Sequence, residues 1–288
     1  MKLKPLGLAF CLVCPPAVAA DSPAFISART QFEMGRFEAA QRSFGKLEAD
    51  EPENADVHYY LGQLALERDD AEAAVAELQK TIALSPDSAR GHNALGDAYG
   101  RSAQQAGMFS KFGLARKCLA EYQRALEIEP NNVDYHESLF GFCINAPSIV
   151  GGGEDNAAKE AAVIKKLDPE RGHRAFATLY TADRKFDLSI AELDEILRAK
   201  PDDYGALYQE GRIAVLSGEH LDQGLASLRH SLDLPVPAHD PPHSAALWRI
   251  GNILEKKGDR AGARAAYEAA LKIDPAFAEA SEALKNLR

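Results

Sequence analysis

Three groups of residues have types that could do chemistry. His58, His92, His136 and His173 recur 34, 44 and 37 residues apart, and histidine is a common metal ligand and proton shuttle. Gly151-Gly152-Gly153 runs into Glu154-Asp155-Asn156-Ala157, where backbone N–H groups at a helix start could hold an anion. His239 and His243 flank Asp240-Pro241-Pro242, and Cys118 and Cys143 could pair in an oxidising compartment.

Each group also has a plainer structural reading. If the four histidines fill one slot in successive units, neighbours lie about 10 Å apart, too far to share a metal with bonds of about 2 Å. They are expected to pack. The glycine run lacks the Lys-Ser/Thr spacing of a phosphate loop, and Glu154 and Asp155 would repel phosphate. A wide inter-helix loop with an acidic helix start is expected instead. The prolines beside His239 and His243 hold the backbone extended, which disfavours chelation. The two cysteines read as small core residues, and whether they bridge is left open. No nucleophile elbow, HExxH, paired-carboxylate signature or dinucleotide fingerprint is present. No catalytic residue, metal site or cofactor is therefore assigned, and the chain is expected not to be an enzyme.

The elements that must position these residues repeat along the chain. Helical patterns end at Glu51-Pro52, Ser85-Pro86, Glu129-Pro130, Asp168-Pro169, Lys200-Pro201 and Asp274-Pro275. Proline cannot extend a helix, so each marks a boundary. A second mark, Leu61-Gly62, Leu95-Gly96, Glu210-Gly211 and Ile250-Gly251, sits inside each unit, with departures at Phe140 and Ala177. Small residues are followed four positions later by larger apolar ones: Ala40/Phe44, Ala74/Leu78, Cys118/Tyr122, Ser189/Leu193 and Ala263/Tyr267. Apolar residues at i, i+3, i+4 and i+7 give every helix one buried stripe. A single pair cannot bury that stripe, so pairs must stack.

These marks resemble the tetratricopeptide repeat, a 34-residue helix–turn–helix unit. The resemblance implies an all-α fold, a right-handed α-solenoid of about seven such repeats. The expected units are 21–54, 55–88, 89–132, 133–169, 170–203, 204–243 and 244–277, with a capping helix over 278–288. The third unit is about ten residues too long around 102–109, so its first helix runs on or a loop projects. The sixth ends in a proline-rich connector over 235–242. The Pro147/Gly-Gly-Gly loop of the fourth resembles one in a bacterial secreted subset of the family.

The family resemblance also implies a ligand-facing groove lined by first helices. Its positions fall on Phe25, Tyr59, Asn93, Glu137, Arg174, Tyr208 and Trp248, and one turn later on Arg29, Gln63, Asp97, Gly141, Thr178, Arg212 and Asn252. This mixture of aromatics, amides and arginines resembles a peptide-recognition surface.

Residues 1–20 read as a secretory leader. Lys2 and Lys4 precede the apolar stretch from Leu6 to Cys14, and Ala17-Val18-Ala19-Ala20 offers small residues for cleavage after Ala20. The stretch is shorter than the ~20 residues of a spanning helix, so no stable membrane span is expected in the mature chain. The 288 residues are 46% hydrophobic and 26% charged, which excludes disorder. A formal charge of −10 argues against nucleic acid as a partner. The expectation is a periplasmic or secreted scaffold that binds protein or peptide segments and supports an envelope complex. Its rival is a periplasmic accessory protein that binds a small solute for a transporter.

Overall fold

The computed structural model describes residues 22–287, and the leader expected over 1–20 lies outside them. Every regular element among the described residues is helical. The helices are α1 (Pro23–Glu33), α2 (Phe37–Asp50), α3 (Ala55–Glu67), α4 (Ala71–Leu84), α5 (Ala89–Gln105), α6 (Met108–Ile128), α7 (Val133–Asn145) and α8 (Glu154–Leu167). They continue with α9 (Pro169–Ala182), α10 (Phe186–Ala199), α11 (Tyr204–Ser217), α12 (Leu221–Ser231), α13 (His243–Lys256), α14 (Arg260–Ile273) and α15 (Ala278–Asn286). One short 3-10 turn covers Ser148–Val150.

The boundaries follow from local chemistry. Pro52, Pro86, Pro130 and Pro201 each follow the end of one helix, and two residues later a capping side chain starts the next. Asn54, Ser88, Asn132 and Asp203 accept hydrogen bonds from the free N–H groups of α3, α5, α7 and α11. At Asp168-Pro169 the connector vanishes: Asp168 ends α8 and caps α9, whose first residue is Pro169. Gly172 is required at this elbow, because a Cβ there would collide with the Lys165 backbone.

The helices form two compact units, one ending at Ser85 and the other beginning at Pro86. In the first, α1 packs on α2, α2 on α3 and α3 on α4, around Phe25, Ala40, Phe44, Leu47, Val57, Leu61 and Leu64. In the second, antiparallel pairs stack in chain order from α5/α6 to α13/α14, with α15 on α14. First helices also touch first helices there, α5 on α7, α7 on α9 and α11 on α13.

The glycine of the internal mark creates the close approach within a pair. A Cβ at Gly62, Gly96, Gly211 or Gly251 would strike Leu78, Tyr122, Leu228 or Tyr267 respectively. The departure at Phe140 keeps the same sum by exchange. Ala161 stands at the register position where the other pairs carry Phe, Leu or Tyr, so bulk has moved from the second helix to the first.

In the third pair both helices lengthen, to 17 and 21 residues, so the extra chain is absorbed as helix at the hairpin end. In the fourth pair Gly151 and Gly153 have φ of 95° and 100°, a region that L side chains rarely adopt. A Cβ at Gly152 would meet the Ala146 carbonyl. The Gly153 N–H donates to the Cys143 carbonyl at 2.8 Å, and Asn156 Nδ2 to the Gly151 carbonyl at 3.0 Å. The glycine run is thus a tight loop closure. Cys118 and Cys143 are both buried and unbridged, and burial pushes their thiols up to about 12 and about 11.

Candidate functional site

The four histidines are built into pairs with second-helix carboxylates. His58 Nδ1 lies 2.7 Å from Glu77 Oε2, His92 Nδ1 2.6 Å from Glu121 Oε2, and His136 Nδ1 2.7 Å from Glu160 Oε2. In each, Nε2 meets the carbonyl of the boundary proline six residues earlier: Pro52 at 2.9 Å, Pro86 at 2.9 Å and Pro130 at 3.0 Å. Each ring thus has a hydrogen-bond partner at both nitrogens. His173 keeps the carboxylate, Glu192 at 2.6 Å, and its unit has no separate boundary turn to supply a matching carbonyl. Each clamp ties a first helix to its second helix, and three of the four also tie the preceding turn. The carboxylate always stands one residue before the large apolar position, a spacing readable in the sequence but not used there.

Glu48, His58 and Glu77 approach one another closely enough to suggest a metal site. Lys80 Nζ already sits 3.2 Å from Glu48 and 2.8 Å from Glu77, so the ammonium occupies the cationic role. His243, half of the second histidine pair, is committed to the Leu234 carbonyl at 3.0 Å, while His239 is exposed.

The groove residues separate into three classes. Phe25 and Tyr208 are buried, at 3% and 4% exposure, which corrects their placement on an exposed surface. Phe25 packs edge-on against Phe44 and Tyr60. The Tyr208 hydroxyl accepts from Arg249 Nε at 2.7 Å. A second class is committed to neighbours. Asp97 accepts from Tyr122 Oη at 2.6 Å, and its burial pushes the carboxyl up. Glu137 takes both ends of the Arg171 guanidinium. Asn252 accepts from Tyr267 Oη at 2.8 Å. Arg29 pairs loosely with Glu33 at 3.7 Å.

The third class presents surface. Tyr59, Gln63 and Trp248 are half-buried, with Trp248 edge-on to Phe277 and its ring face under Arg249. Asn93 is half-buried, and its Oδ1 is a buried acceptor without a hydrogen-bond partner among the described residues. Arg174, Thr178 and Arg212 converge on one pocket of 210 Å³, together with Gln209, Gly205 and Asp240. Arg174 is anchored there by Asp203 at 2.5 Å and Glu170 at 3.2 Å. Arg212 donates to Gln209 Oε1 at 3.0 Å and has no ion-pair partner among the described residues, while Asp240 lines the same pocket. Gly205 leaves the space beside them: an added Cβ would stand 3.2 Å from Arg174 Nη1.

Sequence reasoning missed Gln209, Arg249 and Asp240. The first two follow directly after Tyr208 and Trp248, and the buried Tyr208 shows that the exposed face there is turned by one residue. Asp240 lies in the proline-rich connector, where no repeat period applies.

The tetratricopeptide repeat family is matched over residues 27–89 and again over residues 244–277. The human mitochondrial import receptor subunit TOM70 is 23% identical over 185 residues, 64% of this chain and 24% of that protein, so the chain spans about a quarter of the relative's length. A tetratricopeptide repeat protein from Parabacteroides merdae superposes with a TM-score of 0.63 at 13% identity, covering 92% of this chain and 97% of that one. PilW, described as a widely conserved type IV pilus biogenesis factor, gives a TM-score of 0.57 at 15% identity, covering 80% and 98%. At such identities the solved structures show the fold alone. The chain carries tetratricopeptide repeats on an all-helical fold of stacked helix pairs.

Proposed function

We propose that this chain is an exported, non-catalytic scaffold that holds an extended protein or peptide segment against the first helices of its repeats, supporting assembly of an envelope complex. The observation that carries this reading is the pocket formed by Arg174, Thr178 and Arg212. At 210 Å³ it is smaller than the roughly 300–1,000 Å³ typical of small-molecule sites. It has the capacity for one side chain, and Arg212, which has no ion-pair partner among the described residues, offers N–H donors to a carboxylate or amide oxygen there. The size counts against a small solute in this pocket. The unpartnered acceptor of Asn93 suits a backbone N–H of the same segment. Relatives described as an import receptor subunit and a pilus biogenesis factor support a role in handling other proteins. Export rests on the basic, apolar and small-residue sequence of 1–20.

A photo-crosslinking amino acid at Thr178, which is exposed and lines the pocket, tests this in cells. Crosslinks to a defined protein are expected there, reduced at least tenfold by Arg212→Glu, and absent from a probe at the exposed Glu195 of α10. Equal capture at both positions would overturn the assignment. A thermal shift with metabolites and no Thr178 crosslink would favour the solute binder.

A further inference from the structure

The hairpin end of α5/α6 is an apolar knob on a basic base. Met108 and Phe109 open α6 at 77% and 101% exposure, and Phe112 follows at 43%. By the 3.6-residue period these three share one face with Arg116, and Lys111 flanks it. Phe109 does no packing work for the fold, because a fully exposed side chain buries nothing. Met108 and Phe109 also lie in the stretch by which this unit exceeds the 34-residue period.

The charge of the region runs against that of the molecule. The whole chain has 43 Asp and Glu and a formal charge of −10. From Ala98 to Ala120 there is no acidic residue, while Arg101, Lys111, Arg116 and Lys117 fall in that stretch. Lys117 lies over the Tyr99 ring at 5.3 Å. Lys111 and Arg116 have no ion-pair partner among the described residues. An apolar tip beside two cations without ion-pair partners matches a surface that is hydrocarbon within and anionic without.

We infer that the α5/α6 hairpin end docks this protein onto an anionic lipid bilayer, with Met108, Phe109 and Phe112 entering the headgroup layer and Lys111, Arg116 and Lys117 facing lipid phosphates. Interfacial anchoring of this kind uses bulky apolar side chains beside Lys and Arg. It needs no spanning segment, and no helix among the described residues is long and apolar enough to cross a membrane. A protein partner fits the knob less well. Three side chains of about 150–250 Å² each fall short of the ~800 Å² per partner that a stable protein interface buries. The N-terminal segment is a poor occupant as well, because Lys2 and Lys4 add like charge.

The chain has one tryptophan, Trp248, which makes the test position-specific. Full-length Phe109→Trp is compared with the unmodified chain on vesicles of phosphatidylcholine with phosphatidylglycerol, brominated in the acyl chains. All variants share residues 1–21, so any contribution of that segment is common. The Phe109→Trp signal is expected to shift to the blue and fall about twofold, beyond any change in Trp248. The effect should vanish on pure phosphatidylcholine, and Lys111→Glu/Arg116→Glu/Lys117→Glu in the same background should weaken partitioning at least tenfold. Far-UV circular dichroism reports that the variants keep their helices. Equal quenching with and without Phe109→Trp overturns the inference, as does quenching indifferent to lipid charge. A crosslink from position 109 to protein or to residues 1–21 without lipid quenching overturns it in favour of those occupants.

Discussion

The pairs α3/α4 and α11/α12 share one register and treat a carboxylate held between their two helices in opposite ways. In α3/α4 the first helix supplies His58 and the second supplies Glu77, which also receives Lys80 at 2.8 Å. Burial alone would push the Glu77 carboxyl up, but hydrogen bonds from Lys80 and His58 hold it below its ordinary value. In α11/α12, Leu207 stands at the histidine position and Ser227 at the glutamate position. The carboxylate comes instead from Glu210, one residue before Gly211, where α3 carries Leu61. Glu210 is 1% exposed, held by Gln223 at 3.0 Å and by Ser227, with Asp194 as a like-charged neighbour. Burial pushes it up to about 7. The packing scaffold is therefore indifferent to which helix carries the acid, and the presence of a cation decides the sign of the shift.

That contrast can be broken from either side. The largest effect is expected from His58→Ala, which takes one of two partners from the Glu77 carboxylate and leaves the Pro52 carbonyl without its side-chain partner. A loss of about 1–3 kcal/mol should appear as faster hydrogen exchange over 55–84, with 204–231 unaffected. Glu210→Gln should act in the opposite direction. A raised folded value means that the group's stabilisation is complete below about pH 4.5 and is lost as pH rises through about 7. The glutamine variant should thus protect 204–231 by about 1–2 kcal/mol at pH 8 and make no difference at pH 4. If wild-type protection over 204–231 instead rises with pH across this window, after correction for intrinsic exchange, the account of Glu210 is wrong. Lys80→Ala should be the smallest, under about 1 kcal/mol at neutral pH because the ammonium is largely exposed. Glu77, with its lowered value, contributes stability that is present above about pH 4.5 and lost as pH falls through that lower value. Losing Lys80 should move this acid loss to higher pH.

Much of the fold could be read directly because its determinants are local. The boundary prolines, the caps two residues later and the glycine facing Leu or Tyr all act within one helix pair. Glu77, Glu121, Glu160 and Glu192, each one residue before the same second-helix register position, were legible too, although the four histidines were read for packing without these partners and Phe140 was read only as a departure. The groove was only partly legible. Repeat arithmetic led to Arg174, Thr178 and Arg212 because each sits on a first helix at a regular interval. It misplaced Phe25, which turns into the aromatic cluster with Phe44 and Tyr60, and Tyr208, whose hydroxyl is taken by Arg249.

Periodicity is a property of covalent spacing, so the sequence by itself determined that helix pairs recur, where most of them start and stop, and which face of each is buried. The tertiary structure decided what spacing cannot encode. It brought Asp240 from an aperiodic connector beside Arg174 and Arg212, and joined each histidine to a carboxylate 19 to 29 residues away. It also lengthened α5 and α6 so that Phe109 ends in solvent. These depend on distances across space, which pack to van der Waals contact and hydrogen-bond length only after the helices have stacked.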